Sequence, residues 1–363
     1  MRTLVVLNEN PIGSHPDVHE ALSVLSAEGV VDAYQVYPFS YHRAQGMPDE
    51  EIAAEILDRV SACSVDLIVW MHTGDLDISE RNLERIQSVN RGLRMVYWEG
   101  DSYHPFHKPV PARMQRIMRR CDRVFLPCGG AIVGQLRRAG VTSLYYAPSC
   151  ASGTRFPVVW DAEASHDFDV VMVGNRVASR IPFKTMPGAR QRNRNVALLE
   201  KRYGSRFAVF GNGWKGPFAQ GPIAFDSQAT VYASARIAVG VNNSVYPLVF
   251  SNRLPIAMAC GIPLAYSRNP RFEEIFEEQF LDHMFSTPHQ MLHRIDTLLN
   301  QESHALSEIS KGNRIFFENN LSTVSVARHV VTSVLAGVSV HGHAIARKAS
   351  DESCPHWMQV QRL

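Results

Sequence analysis

Phe168-Asp169-Val170-Val171-Met172-Val173-Gly174-Asn175 decides how this chain of 363 residues divides. A short apolar run closed by Gly-Asn reads as a buried strand that ends in a tight loop. It follows a stretch, Pro148 to His166, in which periodicity fails and Pro148, Gly153 and Pro157 interrupt small polar residues. That stretch reads as a linker, so the strand at 168 opens a second domain. Beyond it, strands are predicted at Phe207–Phe210, Arg236–Val241 and Ile262–Tyr266, with helices over 193–203, 227–234, 251–260, 289–300, 302–317 and 322–336 and a short one opening at Phe272.

Upstream of the linker the same alternation runs from the start of the chain. Thr3–Leu7, Ala33–Tyr37, Asp66–Met71, Arg94–Trp98, Arg123–Leu126 and Leu144–Ala147 read as strands. Helical spacing fills 17–27, 49–60, 79–90 and 113–120. Strands alternating with helices imply a parallel sheet covered on both faces. The fold class is therefore α/β, with two Rossmann-like domains facing across a cleft. The expected bounds are 1–150 and 165–320, then a helix over 321–336 and a tail over 337–363.

Composition excludes several classes. Hydrophobic residues make up 45% and charged residues 20%, as in a globular chain with proper cores. The formal net charge is only +2, so attraction for anions has to come from local clusters. The six cysteines form no CxxC pair and match no zinc template, which suggests reduced thiols. The apolar run at Thr3–Leu7 is too short for a signal peptide, and no segment reaches the roughly 18 apolar residues of a membrane span. A cytoplasmic location is expected, and the missing export signal argues against a periplasmic binding protein.

Ligands of such sheets sit beyond the carboxyl ends of the strands. In the second half, Gly174-Asn175 and Gly211-Asn212-Gly213-Trp214 both follow strands, where glycine lets backbone approach a ligand; each also fits a plain turn. Ser251 is placed to cap the helix that Gly261 ends, leaving first-turn N–H groups for a diphosphate. Arg176, Arg180, Lys184, Arg190, Arg192 and Arg194 fall in an acid-free run. That run reads as a solvated face, a grip on a diphosphate, or a surface for an anionic partner such as nucleic acid.

This order of motifs, with Tyr232–Asn242, Ser251–Pro263 and Phe272-Glu273-Glu274-Ile275-Phe276, resembles the group 1 glycosyltransferases, most nearly their spore-protein-like (CgeB-like) branch. The resemblance spans about residues 165–335. It implies the GT-B fold, with a nucleotide-sugar donor on the second domain, an acceptor on the first, and no metal or other cofactor. It also implies that the last helix crosses back to the first domain. Such transferases usually carry a glutamate where this chain has Ile256, holding the ribose of the sugar donor, and an earlier one near Leu248. An isoleucine accepts no hydrogen bond.

On this reading the sugar donor is held by Gly13, Gly174, Asn175, Arg180, Lys184, Gly211, Asn212, Gly213, Trp214, Asn243, Ser251, Asn252 and Arg253. His15, His72, Asp75, Glu99 and Asp101 lie in acceptor-side loops and are the candidate catalytic groups, each with an alternative role as a loop-stabilising hydrogen-bond partner. An inverting transfer needs a base for the acceptor hydroxyl, and a retaining one a polarised leaving diphosphate. His104 and His107 have the spacing of metal ligands but no third partner. The expected activity is transfer of a hexose or related sugar from a nucleotide sugar to an acceptor hydroxyl, without metal. The rival is a degenerate nucleotide- or sugar-binding protein of the same fold, with a nucleotide-sugar epimerase third. Oligomeric state is left open.

Overall fold

The computed structural model describes residues 1–74, 76–104, 108–177, 185–334 and 363. Asp75, Arg180, Lys184, His107 and the 337–362 part of the tail lie outside them. The chain forms two compact units, Met1–Ala147 with the helix that starts at Thr323, and Pro148–Ser322.

The first unit runs β1 (Arg2–Leu7), α1 (Pro16–Ala27), β2 (Ala33–Pro38), α2 (Phe39–Ala44), α3 (Asp49–Ala62), β3 (Leu67–Met71), α4 (Glu80–Ser88), β4 (Arg94–Trp98), α5 (Ala112–Arg120), β5 (Arg123–Leu126), α6 (Ala131–Arg138) and β6 (Leu144–Tyr146). Its sheet is parallel throughout, in the order β2-β1-β3-β4-β5-β6. The strands are near-continuous apolar runs because helices cover both faces: every residue of β3 is buried. The order reverses at β1 and β3, so the loops after these two strands leave in different directions and open a crevice.

The second unit runs β7 (Phe168–Val173), α7 (Ala189–Tyr203), β8 (Phe207–Phe210), β9 (Ala219–Gly221), α8 (Gln228–Ala233), β10 (Ala235–Gly240), α9 (Arg253–Cys260), β11 (Leu264–Ser267), α10 (Glu278–Leu281), β12 (Met284–Phe285), α11 (Pro288–Leu299) and α12 (Ser303–Phe316). Its parallel sheet has the order β12-β11-β10-β7-β8-β9. The reversal here falls between β7 and β10. A tight π turn, Phe317–Leu321, leads from α12 to α13 (Thr323–Thr332), which packs on α1 in the first unit.

Two separate six-stranded sheets agree with the expected α/β class. Differences from the sequence reading are local. Helices α2, α6 and α10 and strands β9 and β12 are additional; four of the five span six residues or fewer, too few for a period to register. α7 begins at Ala189 rather than 193, and α9 at Arg253 rather than Ser251. Asn252 is the N-cap, in αR geometry with no side-chain cap bond, so the expected Ser251 cap is corrected. The Ser251 N–H instead donates to the Tyr266 hydroxyl at 3.3 Å. α9 does end at Gly261, whose φ of +83° a residue with a Cβ rarely adopts. Among the described residues no helix is long and apolar enough to cross a membrane.

Candidate functional site

In the first unit the chain leaves β3 at His72, which takes φ +48°, a costly backbone for a residue with a side chain. Two buried groups hold it there. Tyr97, on β4, accepts the Thr73 N–H at 3.0 Å and bonds its hydroxyl at 2.8 Å. Glu99, wholly buried just past β4, brings Oε1 within 2.6 Å of His72 Nδ1. The same oxygen accepts the Asp101 N–H at 3.0 Å. The pair fixes the imidazole with Nδ1 as donor and leaves Nε2 as its free basic atom. Burial works against the imidazolium, but the charge and hydrogen bond of Glu99, aided by Asp101, outweigh it and raise the His72 pKa above its ordinary value. Asp101 in turn pairs with Lys108 at 2.6 Å.

Gly100 makes this packing possible. A Cβ there would lie 2.8 Å from His72 Nε2 and 2.9 Å from Cε1, so the ring must move if one is added. Gly100→Ala is expected to separate the ring from Glu99 and lower the His72 pKa, read by NMR titration. The overpacking should cost about 1–3 kcal/mol in chemical denaturation. An unmoved titration curve counts against the described packing.

The loop after β1 is organised from within. Glu9, also wholly buried, accepts the N–H groups of Gly13 (2.9 Å) and His15 (3.1 Å), and lies 3.1 Å from His19 Nε2. Gly13 was expected to meet a phosphate. Its N–H is already bound to a carboxylate, whose charge disfavours an anion beside it. His15 Nε2 is held by the Asn8 carbonyl at 3.0 Å, and Asn8 in turn bonds the Ser40 hydroxyl.

The second unit gathers its polar groups at the β7/β10 reversal. Arg192 lies on the inner face of α7 with Ala189, Val196 and Leu199 and is 3% exposed. Its Nε donates to the Val241 carbonyl at 2.8 Å and Nη1 to the Asn175 carbonyl at 2.9 Å, and Nη2 also donates to the Val241 carbonyl. One guanidinium thus spans the ends of both strands. Burial, with the nearby Arg253 charge, lowers its pKa to about 10. Among the described residues neither arginine has a carboxylate partner, and Arg253 Nε is buried without one of any kind. Glu273 and Glu274, which might have neutralised Arg253, bind Arg268 (3.0 Å) and Arg271 (2.7 Å) instead.

Several predicted sugar-donor contacts are spent on one another. Asn175 Oδ1 accepts the Asn212 N–H at 2.9 Å, and the Trp214 indole donates to the Gly174 carbonyl at 2.6 Å. Gly211 has φ +141°, and a Cβ there would sit 2.5 Å from the Gly174 oxygen. These residues stitch the β7 and β8 loops together. Tyr266 donates to Asn242 Oδ1 at 2.6 Å while accepting from Ser251, which ties the β10 loop to the start of α9. Among the described residues Asn243 Oδ1 and Ser244 Oγ are buried there without partners. Buried polar atoms in folded proteins are nearly always paired, which makes this strand end the candidate ligand position.

The structure thus brings His72, Glu99 and Asp101 together in one unit, and Gly174, Asn175, Gly211, Asn212, Gly213, Trp214, Asn243, Ser251, Asn252 and Arg253 around one sheet end in the other. The acid-free basic run divides: Arg176, Arg190 and Arg194 are exposed and Arg192 is buried. Glu9, Tyr97 and the role of Arg192 went unread in the sequence. The available signal was a cation on the apolar face of a helix. The buried Cys128 and Cys260 thiols are pushed up to about 12 by burial, which removes both as nucleophiles near neutrality. Ile256 is fully buried in α9, and Leu248, also buried, takes φ +67°; neither offers a carboxylate.

Residues 190–330 match a family model described as "Glycosyl transferase-like". No curated protein matches the chain by sequence. Among solved structures, Alr3699/HepE of Anabaena in complex with UDP-glucose superposes with a TM-score of 0.57 at 13% identity, covering 93% of this chain and 100% of that one. Sucrose-phosphate synthase of Thermosynechococcus elongatus gives 0.55 at 13% identity, covering 93% and 100%. A glycosyltransferase of Rickettsia africae gives 0.55 at 12%, covering 93% and 99%. The fold is that of GT-B glycosyltransferases: two parallel six-stranded sheets with interleaved helices. The CgeB-like branch named from the sequence is not separately supported by these likenesses.

Proposed function

We propose that the protein is a glycosyltransferase that binds a nucleoside diphosphate sugar at the β7/β10 crevice and transfers the sugar to an acceptor hydroxyl. The observation that carries this reading is the pair Arg192–Arg253. Arg192 is buried, the charge of the half-buried Arg253 bears on it, and no described acid balances either; unpaired buried charge is costly. A ligand diphosphate supplies the missing charge. As the bond between the anomeric carbon and the diphosphate oxygen breaks, that oxygen gains negative charge, and preformed cations stabilise it without reorganisation. The Glycosyl transferase-like match over 190–330 and the UDP-glucose bound by the Anabaena protein support the same ligand class.

His72 is the proposed base. Its Nε2 takes the acceptor hydroxyl proton as the hydroxyl oxygen bonds to the anomeric carbon, and Glu99 holds the ring and stabilises the imidazolium. Soluble, cytoplasmic action with a nucleotide sugar as the sole cosubstrate completes the reading.

The test is thermal stability in the presence of nucleoside diphosphates and nucleotide sugars, followed by assay for nucleotide release. A ligand at 100 times its dissociation constant should stabilise the protein by about 2.7 kcal/mol. No shift with any nucleotide would sink the proposal. A second reading, binding without turnover, is favoured by the burial of Ile256 and Leu248 where the related transferases carry carboxylates. Stabilisation by nucleotides with no release of nucleotide from any sugar conjugate would select it.

Turnover is expected to survive EDTA. His72, Glu99 and Asp101 are close enough to enclose a cation. However, Nδ1 and Oε1 at 2.6 Å are already bonded to each other, and a metal would have to break that bond. Loss of activity in EDTA that manganese or magnesium restores would overturn the metal-free reading.

A further inference from the structure

The chain as a whole is nearly neutral, but its charge is unevenly distributed. Between Asp169 and Glu273 the sequence holds fourteen lysines and arginines against two acids, Glu200 and Asp226. Several of these cations have local partners: Arg202 binds Asp296, and Arg206 binds Asp169. Among the described residues, Arg176 and Lys215, in the loops after β7 and β8, have no such acid partner. The loops 174–188, 211–218 and 241–252 contain no carboxylate at all, and neither does α9. Arg192 and Arg253 face this region from the helices.

A neutral hexose presents hydroxyl groups, which as donors are best met by carboxylates. Among the described residues, two side-chain acceptors here are buried without partners, Asn243 Oδ1 and Ser244 Oγ. The unpartnered guanidinium atom, Arg253 Nε, calls for an acceptor from the ligand. A diphosphate supplies one negative charge per phosphate, and further cations, Arg176 and Lys215, stand in the same loops. Because Tyr266 ties the Asn242 side chain to Ser251, the orphaned atoms of Asn243, Ser244 and Arg253 belong to one assembly.

We propose that the sugar moiety of the ligand is itself anionic, a hexuronate or similarly charged sugar, with its carboxylate received by Arg253 and a hydroxyl by Asn243. This rests on the reading of the crevice as a nucleotide-sugar site. Guanidinium and carboxylate match in planar, two-pronged geometry, which makes the contact selective as well as attractive.

The experiment is calorimetry on the full chain with matched pairs that differ only in the sugar: UDP-glucuronate against UDP-glucose, and GDP-mannuronate against GDP-mannose. Free UDP and GDP serve as controls. On whichever nucleotide binds, the uronate is expected to bind at least tenfold tighter than the neutral sugar. Arg253→Gln should reduce that ratio to about one, and Arg253→Lys should retain part of it. The ratio is the readout because Arg253 also contributes to diphosphate affinity, which changes both members of a pair alike. A wild-type ratio below threefold with free nucleotide still bound overturns the anionic sugar and leaves the nucleotide site standing. A ratio unchanged in Arg253→Gln overturns the assigned residue. If neither free nucleotide nor any conjugate binds, the nucleotide site falls and this inference with it.

Discussion

Arg192→Met is expected to weaken nucleotide binding by about 100-fold and to destabilise the second unit together. The guanidinium donates to two carbonyls, Val241 and Asn175, just past the strands that flank the crevice. Methionine fills similar space but donates nothing. Each buried acceptor left without a donor costs about 1–3 kcal/mol, so for two the unfolding free energy should fall by about 2–6 kcal/mol. Removing a charge that has no counter-ion returns part of this, which is why the lower half of the range is the better guide. Affinity for a nucleoside diphosphate should fall by about 100-fold, two charge-assisted contacts' worth at about 1.5 kcal/mol each. Arg192→Lys separates the contributions: it restores the charge but, as a point cation, cannot bridge two carbonyls. It should recover part of the affinity and little of the stability. Denaturant titration and calorimetry read the two quantities. If Arg192→Met leaves both within twofold of wild type or 0.5 kcal/mol, the arginine is a buried spectator.

Glu99→Gln should lower maximal turnover by at least about 100-fold, the usual range for a general base that has lost its support. It should also change the shape of the pH profile. In the wild type the base is neutral His72, whose pKa is raised, so turnover climbs as pH passes through that raised value and levels off above it. Without the Glu99 charge, burial is left as the largest influence, and the imidazole pKa falls. The ascending limb of the variant therefore moves to lower pH. A merely structural role for Glu99 would reduce the rate at every pH and leave the limb in place. Stability follows the opposite sense. A histidine whose pKa is raised on folding contributes its full stabilisation below the unfolded value of about 6.5. That contribution is lost as pH rises through the folded value. The Glu99–His72 pair thus helps the fold most where the base is least active. His72→Gln, with no titrating ring, should erase the limb. A limb that persists in it identifies another base.

How the chain divides could be read from residues 148–175 alone, because a parallel strand buried on both faces is a continuous apolar run and a linker is not. Nearly every strand of both sheets was legible for the same reason, and so was the stop of α9 at Gly261, where a left-handed backbone calls for glycine. Short elements such as Phe39–Ala44 and Met284–Phe285 were not, since they carry too few residues for a period and are held by neighbours already in place. The glycine loops after β7 and β8 were identifiable as loops at strand ends. That Asn212 binds Asn175 and Trp214 binds the Gly174 carbonyl was not. Nor was the position of Arg192: in sequence it is one of six cations in an acid-free run, and only the packing of α7 turns it inward while Arg190 and Arg194 stay in water. Local patterns determine elements because backbone preference and helical or strand period act over a few residues. Hydrogen-bond partners and missing counter-ions are settled between residues such as Arg192 and Val241, 49 apart in the chain, which meet only when the sheet assembles.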